Sequence, residues 1–228
     1  MTPLKNISRY TFLLTISLMF WVMPANGQRR KPTPQEPDST AFLNGFAVSA
    51  DLVGAAQLLF SDYGQYEAAL RINLKDRWFP VVELGLGKAN HDDIVTKVSY
   101  KTSAPYGRVG LDFNLLKNKH DIYRLYGGFR YAYTNYKFEF SHPGIIDPVW
   151  GGEVKFEAKD VASYCHWVEG VMGIDASIIG PIHLGWSVRY RRRIAHKEGD
   201  YGNAWYVPGY GKTGTSRLAA TFNVIIDI

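Results

Sequence analysis

The sequence predicts an all-β protein folded as an eight-stranded antiparallel up-and-down transmembrane β-barrel. Three observations predict it. Eight segments after Phe42 alternate apolar and polar side chains with the strand period of two. No Asp, Glu, Lys or Arg falls on the apolar phase of any of them. Their connections alternate between tight and long, as when short turns line one rim of a membrane barrel and long loops the other.

Composition agrees with this. The 15 Tyr, 12 Phe, 6 Trp and 22 Gly among 228 residues suit a turn-rich β protein. A mean hydropathy of −0.18 excludes a bundle of membrane-spanning helices. The single cysteine, Cys165, excludes an internal disulfide framework and reads as a small buried side chain.

The chain opens on an export signal. Lys5 and Arg9 precede an apolar run, Tyr10 to Met23, and small residues Ala25 and Gly27 stand where a signal peptidase reads them. Residues 1–27 are therefore expected to be removed, leaving Gln28 first. No cysteine follows to carry a lipid. Losing Lys5 and Arg9 takes the formal charge from +5 to +3, too mild and scattered for a nucleic-acid partner. Residues 28–41 carry three prolines and no periodicity, and read as a flexible periplasmic tail. The barrel itself is expected over 42–228.

The segments follow in order. The first, Gly45 to Gly54, sets Phe46, Val48, Ala50 and Leu52 against Ser49 and Asp51. The second, Gly64 to Leu74, sets Tyr66, Ala68, Leu70 and Ile72 against Glu67 and Arg71. Trp78 to Gly87 carries Glu83 on its polar phase, and Gly107 to Leu115 carries Arg108 and Asp112. Ile122 to Asn135 places Tyr123, Phe129, Tyr131 and Tyr133 opposite Arg124 and Arg130. His166 to Ile178 carries Glu169 and Asp175, Ile182 to Tyr190 carries His183 and Arg189, and Leu218 to Ile228 closes the series. The tight connections are 75–77, 116–121 and 180–181. The long ones are 88–105, 136–164 and 191–217.

A strand in hydrocarbon must satisfy its backbone inside the sheet, so the sheet closes. The apolar phase then meets lipid, with Trp78, Tyr123, Tyr131, Tyr133, Trp186, Tyr190 and Phe222 as interfacial girdles. The polar phase faces a lumen that eight strands leave just wide enough for side chains. Asp51, Glu67, Arg71, Glu83, Arg108, Asp112, Arg124, Arg130, Glu169, Asp175 and Arg189 are expected to form a structural charge network there. Register across the tight turns pairs Asp112 with Arg124, Arg71 with Glu83, and Glu169 with Arg189 or Arg191.

Several stretches resemble a family of small Gram-negative outer-membrane barrels classed as a domain of unknown function: Trp78-Phe79-Pro80-Val81-Val82-Glu83-Leu84-Gly85, Tyr126-Gly127-Gly128-Phe129-Arg130-Tyr131, Gly185-Trp186-Ser187-Val188-Arg189-Tyr190-Arg191 and Val207-Pro208-Gly209-Tyr210-Gly211. The architecture resembles that of the OmpA transmembrane domain. The resemblance implies fold and location and no activity.

Catalytic patterns are thin. Gly209 to Gly214 resembles a phosphate loop but has Tyr206 where the motif needs glycine. His91, His120, His142, His166, His183 and His196 are dispersed, with no metal-ligating spacing. Ser177, His183 and Asp175 share the lumenal phase, where structural hydrogen bonding is the better reading. Arg191-Arg192-Arg193 reads equally as a contact for anionic outer-leaflet lipid or as a solvated rim. Trp150, Tyr201, Trp205, Tyr206 and Tyr210 place aromatics in the long loops, either as a candidate interaction surface or as loops that fold over the barrel mouth and bury their own aromatics. The expectation is a non-enzymatic outer-membrane barrel without cofactor or metal, a structural or accessory subunit of an envelope complex. Its long loops would be extracellular and both termini periplasmic. Expected partners are outer-membrane lipid and another outer-membrane protein or lipoprotein, such as a barrel-assembly or transport complex. Alternatives are an enzyme acting on lipid or peptide, a narrow channel, and a soluble lipocalin-like barrel.

Overall fold

Alternation with period two gives each strand one greasy and one polar face, and strands of this kind curl into a ring. The computed structural model describes residues 41–118, 122–146, 149–199 and 202–228. The expected signal peptide, and all of the expected tail but Ala41, lie outside these residues. The elements are β1 (Leu43–Asp51), α1 (Leu52–Phe60), β2 (Tyr63–Leu74), β3 (Trp78–Asp92), β4 (Ser99–Asn114), β5 (Tyr123–Ile146), β6 (Glu153–Ile179), β7 (Ile182–His196), β8 (Tyr206–Val207), β9 (Gly211–Lys212) and β10 (Ser216–Asp227). The ring order is β1-β10-β7-β6-β5-β4-β3-β2, every neighbour antiparallel. Among the described residues, β8 and β9 pair only with each other.

The tight β2–β3 turn shows how the ring is pinned. Lys75 and Asp76 both adopt positive φ, 55° and 53°, and the Arg77 N–H donates to the Leu74 carbonyl at 3.1 Å. This backbone twist matches that of the flanking strands. Asn73 holds the strained pair, its amide donating to the Asp76 carboxylate (2.6 Å) and its carbonyl accepting the Asp76 N–H (2.9 Å).

The outer surface is apolar in a band. Leu84, Val109, Phe129, Met172, Trp186 and Val188 are each more than half exposed. A continuous belt of this kind is a liability in water and a necessity in lipid. The belt ends abruptly. Outward positions change from Leu86 to Lys88 on β3, from Pro105 to Ser103 and Lys101 on β4, and from Tyr133 to Asn135, Lys137 and Glu139 on β5.

Three expectations need correction. The first strand ends at Asp51, and the next nine residues form α1. Leu-Val-Gly-Ala-Ala-Gln-Leu-Leu-Phe has no polar alternation and is rich in helix formers. The Asp51 carboxylate caps it, accepting the N–H groups of Val53 and Gly54, each at 3.1 Å. Second, the connections 88–105 and 136–164 are mostly strand. β3 and β4 meet at a turn near 93–98, and β5 and β6 run 24 and 27 residues, far beyond the ~9–11 a tilted crossing needs. Alternation persists there with polar residues outside, Lys137 and Glu139, and aromatics inside, Tyr136 and Phe138. Third, the connection 191–217 is only partly an exposed loop: it opens with the end of β7, and its hairpin, β8–β9, folds into the barrel mouth.

The interior therefore has two storeys. Charged side chains fill the middle of the lumen. Above them an aromatic core, including Tyr100, Tyr106, Tyr136, Phe138, Trp167 and Tyr210, packs beneath and around the hairpin.

Candidate functional site

The lumen is built by odd–even geometry. Residues two apart on neighbouring strands stack inward, so a few positions per strand supply a shared layer of ions. At its centre Glu83 of β3 accepts from Arg108 (3.1 Å), Arg130 (3.0 Å) and Arg189 (2.7 Å). Arg108, fully buried, also pairs with Glu67 and with Glu169 at 3.0 Å. Arg130 forks onto Asp112 at 2.7 and 2.9 Å. Arg189 further reaches Glu67 at 3.2 Å. Nearer the tight turns, Arg71 and Arg124 share Asp175, Arg71 at 2.8 Å. Guanidiniums suit such a layer because one planar fork can serve several carboxylates at once.

The expected network residues Glu67, Arg71, Glu83, Arg108, Asp112, Arg124, Arg130, Glu169, Asp175 and Arg189 thus lie together in the lumen, but the pairing differs from that expected. Asp112 lies opposite Gly128 and pairs with Arg130, while Arg124 pairs with Asp175. Arg71 lies opposite Val81 and reaches Asp175 and Asp112 rather than Glu83. Arg124 and Asp175 face each other directly on β5 and β6, and Asp112 and Arg130 are diagonal neighbours on β4 and β5, whereas Arg71 of β2 reaches Asp175 of β6 across the lumen, a contact that hairpin register does not reveal. Glu169 does meet Arg191 (3.1 Å) and Arg189 (3.6 Å). Asp51 is buried, yet its partners are backbone: the α1 cap and the Phe222 N–H at 3.3 Å. Ser177, His183 and Asp175 form no triad, since Asp175 serves two arginines and His183 faces Asp227 at 3.0 Å.

The hairpin seals the mouth. Arg108 donates to the Gly209 carbonyl (2.8 Å) and Arg191 to the Tyr210 carbonyl (3.0 Å), so the plug is tied to the ionic layer beneath it. Tyr100 donates to the Tyr206 carbonyl at 2.8 Å, and the Tyr206 hydroxyl donates to the Gly64 carbonyl at 3.2 Å. Gly87 lets the plug approach β3: a Cβ there would come within 2.7 Å of Pro208 Cα. Burial pushes the Tyr206 phenol up to about 12. Tyr206 and Tyr210 are therefore not interaction-surface residues, because the loop that carries them buries them. Trp205 is half-buried and stacks on His91 at 4.3 Å. Trp150 stands exposed at the far end of the β5–β6 hairpin. Tyr201 lies outside the described residues.

Arg191, which the sequence offers only as an alternative partner of Glu169, is a full member of the network, as its place on the same phase as Ser187 and Arg189 implies. Arg192 beside it is exposed, so the arginine run divides between lumen and surface.

In chemical terms the lumen is a closed, neutralising layer. The cavity among Ser49, Glu67, Arg71, Glu83, Tyr126 and Arg130 measures only ≈ 10 Å³, the space of about one water. A ring of eight antiparallel strands, apolar without and ionic within, defines the class of small up-and-down barrels with the architecture of the OmpA transmembrane domain. The chain belongs to the family described as domain of unknown function DUF6048, whose profile matches residues 8–227. No curated protein matches it. Among solved structures it is similar to Neisserial surface protein A (12% identity, TM-score 0.45, covering 82% of this chain and 99% of that one). It is also similar to a major outer membrane protein of Thermus thermophilus (13%, 0.43, 81% and 98%) and to the N-terminal β-barrel domain of Pseudomonas aeruginosa OprF (10%, 0.36, 81% and 98%).

Proposed function

We propose that the protein is a non-enzymatic integral barrel of the outer membrane that serves as a structural or accessory subunit of an envelope complex. The observation that carries this reading is the filled interior. Paired arginines and carboxylates occupy the lumen and a tied-down hairpin fills its mouth, so the outer wall and the projecting β5–β6 hairpin are what remain to act. A channel needs a continuous polar path, and an enzyme needs a cleft beside its nucleophile. The exposed apolar belt supports the membrane location. The polar outer face of the β5–β6 projection suits it to water on the extracellular side, with both termini periplasmic.

The hairpin ends in Val149 and Trp150, 76% and 86% exposed. A large aromatic at the end of a projecting ribbon is the kind of group that anchors a protein partner. The test is affinity purification of the chain from detergent-solubilised outer membranes, beside a variant lacking the hairpin end. A stable partner captured by the full chain and lost with the hairpin end supports the accessory role. A barrel that purifies alone from native membranes refutes it.

A further inference from the structure

The wall changes character at one seam. β1 stops pairing with β10 at Asp51, opposite Asn223, and with β2 at Ala50, opposite Ala68. Beyond those points Ser216–Phe222 of β10 and Tyr63–Glu67 of β2 have a strand neighbour on one side only. α1 stands in the gap. A helix satisfies its own backbone, so it closes the hole without completing either ladder. The Phe222 N–H points into the gap, where Asp51 accepts it. Strand alternation turns the N–H groups of Ala220 and Leu218 the same way.

Between α1, this open edge and the plug lies a cavity of ≈ 290 Å³. Leu218 and Ala220, which face outward, line it together with Arg217 and Thr221, which face inward. The edge of β10 itself thus forms one side of the cavity. Its volume is at the lower end of ligand sites and fits a headgroup better than a whole lipid.

Cations outnumber carboxylates along the cavity, Arg191, Lys212 and Arg217 against Asp51. Arg191 is balanced by Glu169, and the Asp51 carboxylate is occupied by three backbone N–H groups. Lys212 and Arg217 form no ion pair among the described residues. Lys212 Nζ lies 5.1 and 4.9 Å from the ring centroids of Tyr63 and Trp205. Arg217 donates to the carbonyls of Lys212 (2.7 Å) and Thr213 (3.2 Å). Aromatic faces and carbonyls orient cations without cancelling their charge. Outside the cavity the surroundings are apolar, with Leu59, Phe60 and Leu218 each more than 70% exposed.

Cations inside, backbone N–H groups turned toward the gap at the rim and grease outside match an amphiphile with an anionic head. We propose that this seam binds the headgroup phosphate of a membrane lipid that enters sideways from the bilayer, its acyl chains resting against α1 and Leu218. The proposal rests on the membrane reading above.

The test uses the full chain purified in mild detergent, phosphatidylglycerol as the probe, and native mass spectrometry to count bound lipid. The expected result is one retained lipid per barrel, undisplaced by excess inorganic phosphate. The double variant K212Q/R217Q is expected to cut retention by about tenfold or more. Ala219→Phe, which keeps both charges and fills the cavity, is expected to cut it too, while Lys212→Arg preserves it. Heat-dependent gel mobility identifies folded barrels, so Ala219→Phe still decides the matter if the double variant misfolds. Equal retention by the wild type and the folded variants overturns the proposal, as does displacement by inorganic phosphate, which would mark a site for the free anion. A wild-type chain that fractionates with membranes but holds no lipid overturns the seam alone. A chain recovered folded in the soluble fraction overturns the membrane reading with it.

Discussion

β5 and β1 stand on opposite sides of the ring, four strands apart in either direction, and they solve the same problem differently. β5 is paired with β6 from Tyr123 opposite Ala176 to Ile146 opposite Glu153, a ladder that rises well past the apolar belt. β1 is nine residues long and hands over to a helix partway up the wall. Hydrocarbon tolerates no unsatisfied backbone, and a ladder and a helix are the two ways to comply. The ladder makes a continuous wall that projects into water and presents a hairpin. The helix leaves strand edges beside it half-served, and a cavity with uncancelled cations opens there. The two working surfaces proposed for this protein are these two departures from a plain barrel.

What holds the unequal sides together is the ionic layer, and the largest expected effect comes from breaking it. Glu83 links Arg108 of β4, Arg130 of β5 and Arg189 of β7 from its place on β3. Glu83→Ala would leave three buried guanidiniums short of a carboxylate, a loss of about 3–5 kcal/mol. The expected readout is a large drop in the urea midpoint of the refolded barrel in detergent, or failure to regain heat-modifiable mobility. If the variant unfolds at the wild-type midpoint, the layer is not what joins the two sides.

The next effect should be confined to the seam. A Cβ at Gly54 would stand 2.6 Å from the Gln65 carbonyl oxygen and 2.9 Å from the Asp51 carboxylate, so Gly54→Val must push α1 off β2. Such overpacking costs about 1–3 kcal/mol. Amide exchange is expected to quicken in α1 and at Tyr63–Glu67 while β5 and β6 stay protected. Asp51→Ala is the gentler form: it removes the helix cap and the acceptor of the Phe222 N–H, for about 1 kcal/mol. Exchange that quickens equally around the whole ring in either variant would mean that the seam is not a separate unit.

The two sides are not equally legible in the sequence. Strand alternation from Tyr123 to Asn135 and from His166 to Ile178 locates the tall wall and the lumenal phase of its charges, because period two is a local property of the chain. The height of that wall is hidden, since Lys137 and Glu139 look like loop residues until one sees that outward positions above the belt must be polar. α1 is hidden because Leu52 continues the alternation of β1 for one more step. The run from Val53 to Phe60 lacks the charged residues that mark the strands, and its helix formers together with the cap at Asp51 are what distinguish it. Pairings within the lumen, such as Arg71 with Asp175, depend on side chains crossing a closed ring, a long-range fact with no trace in local pattern. The burial of Tyr206 and Tyr210 has the same origin: a loop that folds inward differs from one that folds outward through the Arg108 and Arg191 donors that receive it.

The smallest effect on stability should come from the end of the tall hairpin, and there the comparison becomes functional. Val149 and Trp150 are exposed, so replacing both with Ser should shift the unfolding midpoint by less than about 0.5 kcal/mol equivalent. Loss of a partner from detergent-solubilised membranes is expected nonetheless, because a large exposed aromatic is suited to anchoring a partner. Lipid retention at the seam should not change, since the hairpin end shares no residue with that cavity. K212Q/R217Q should give the reciprocal result, keeping the partner and losing the lipid. If either variant abolishes both, the two surfaces are coupled through the ionic layer, and the barrel works as one device instead of carrying two independent ones.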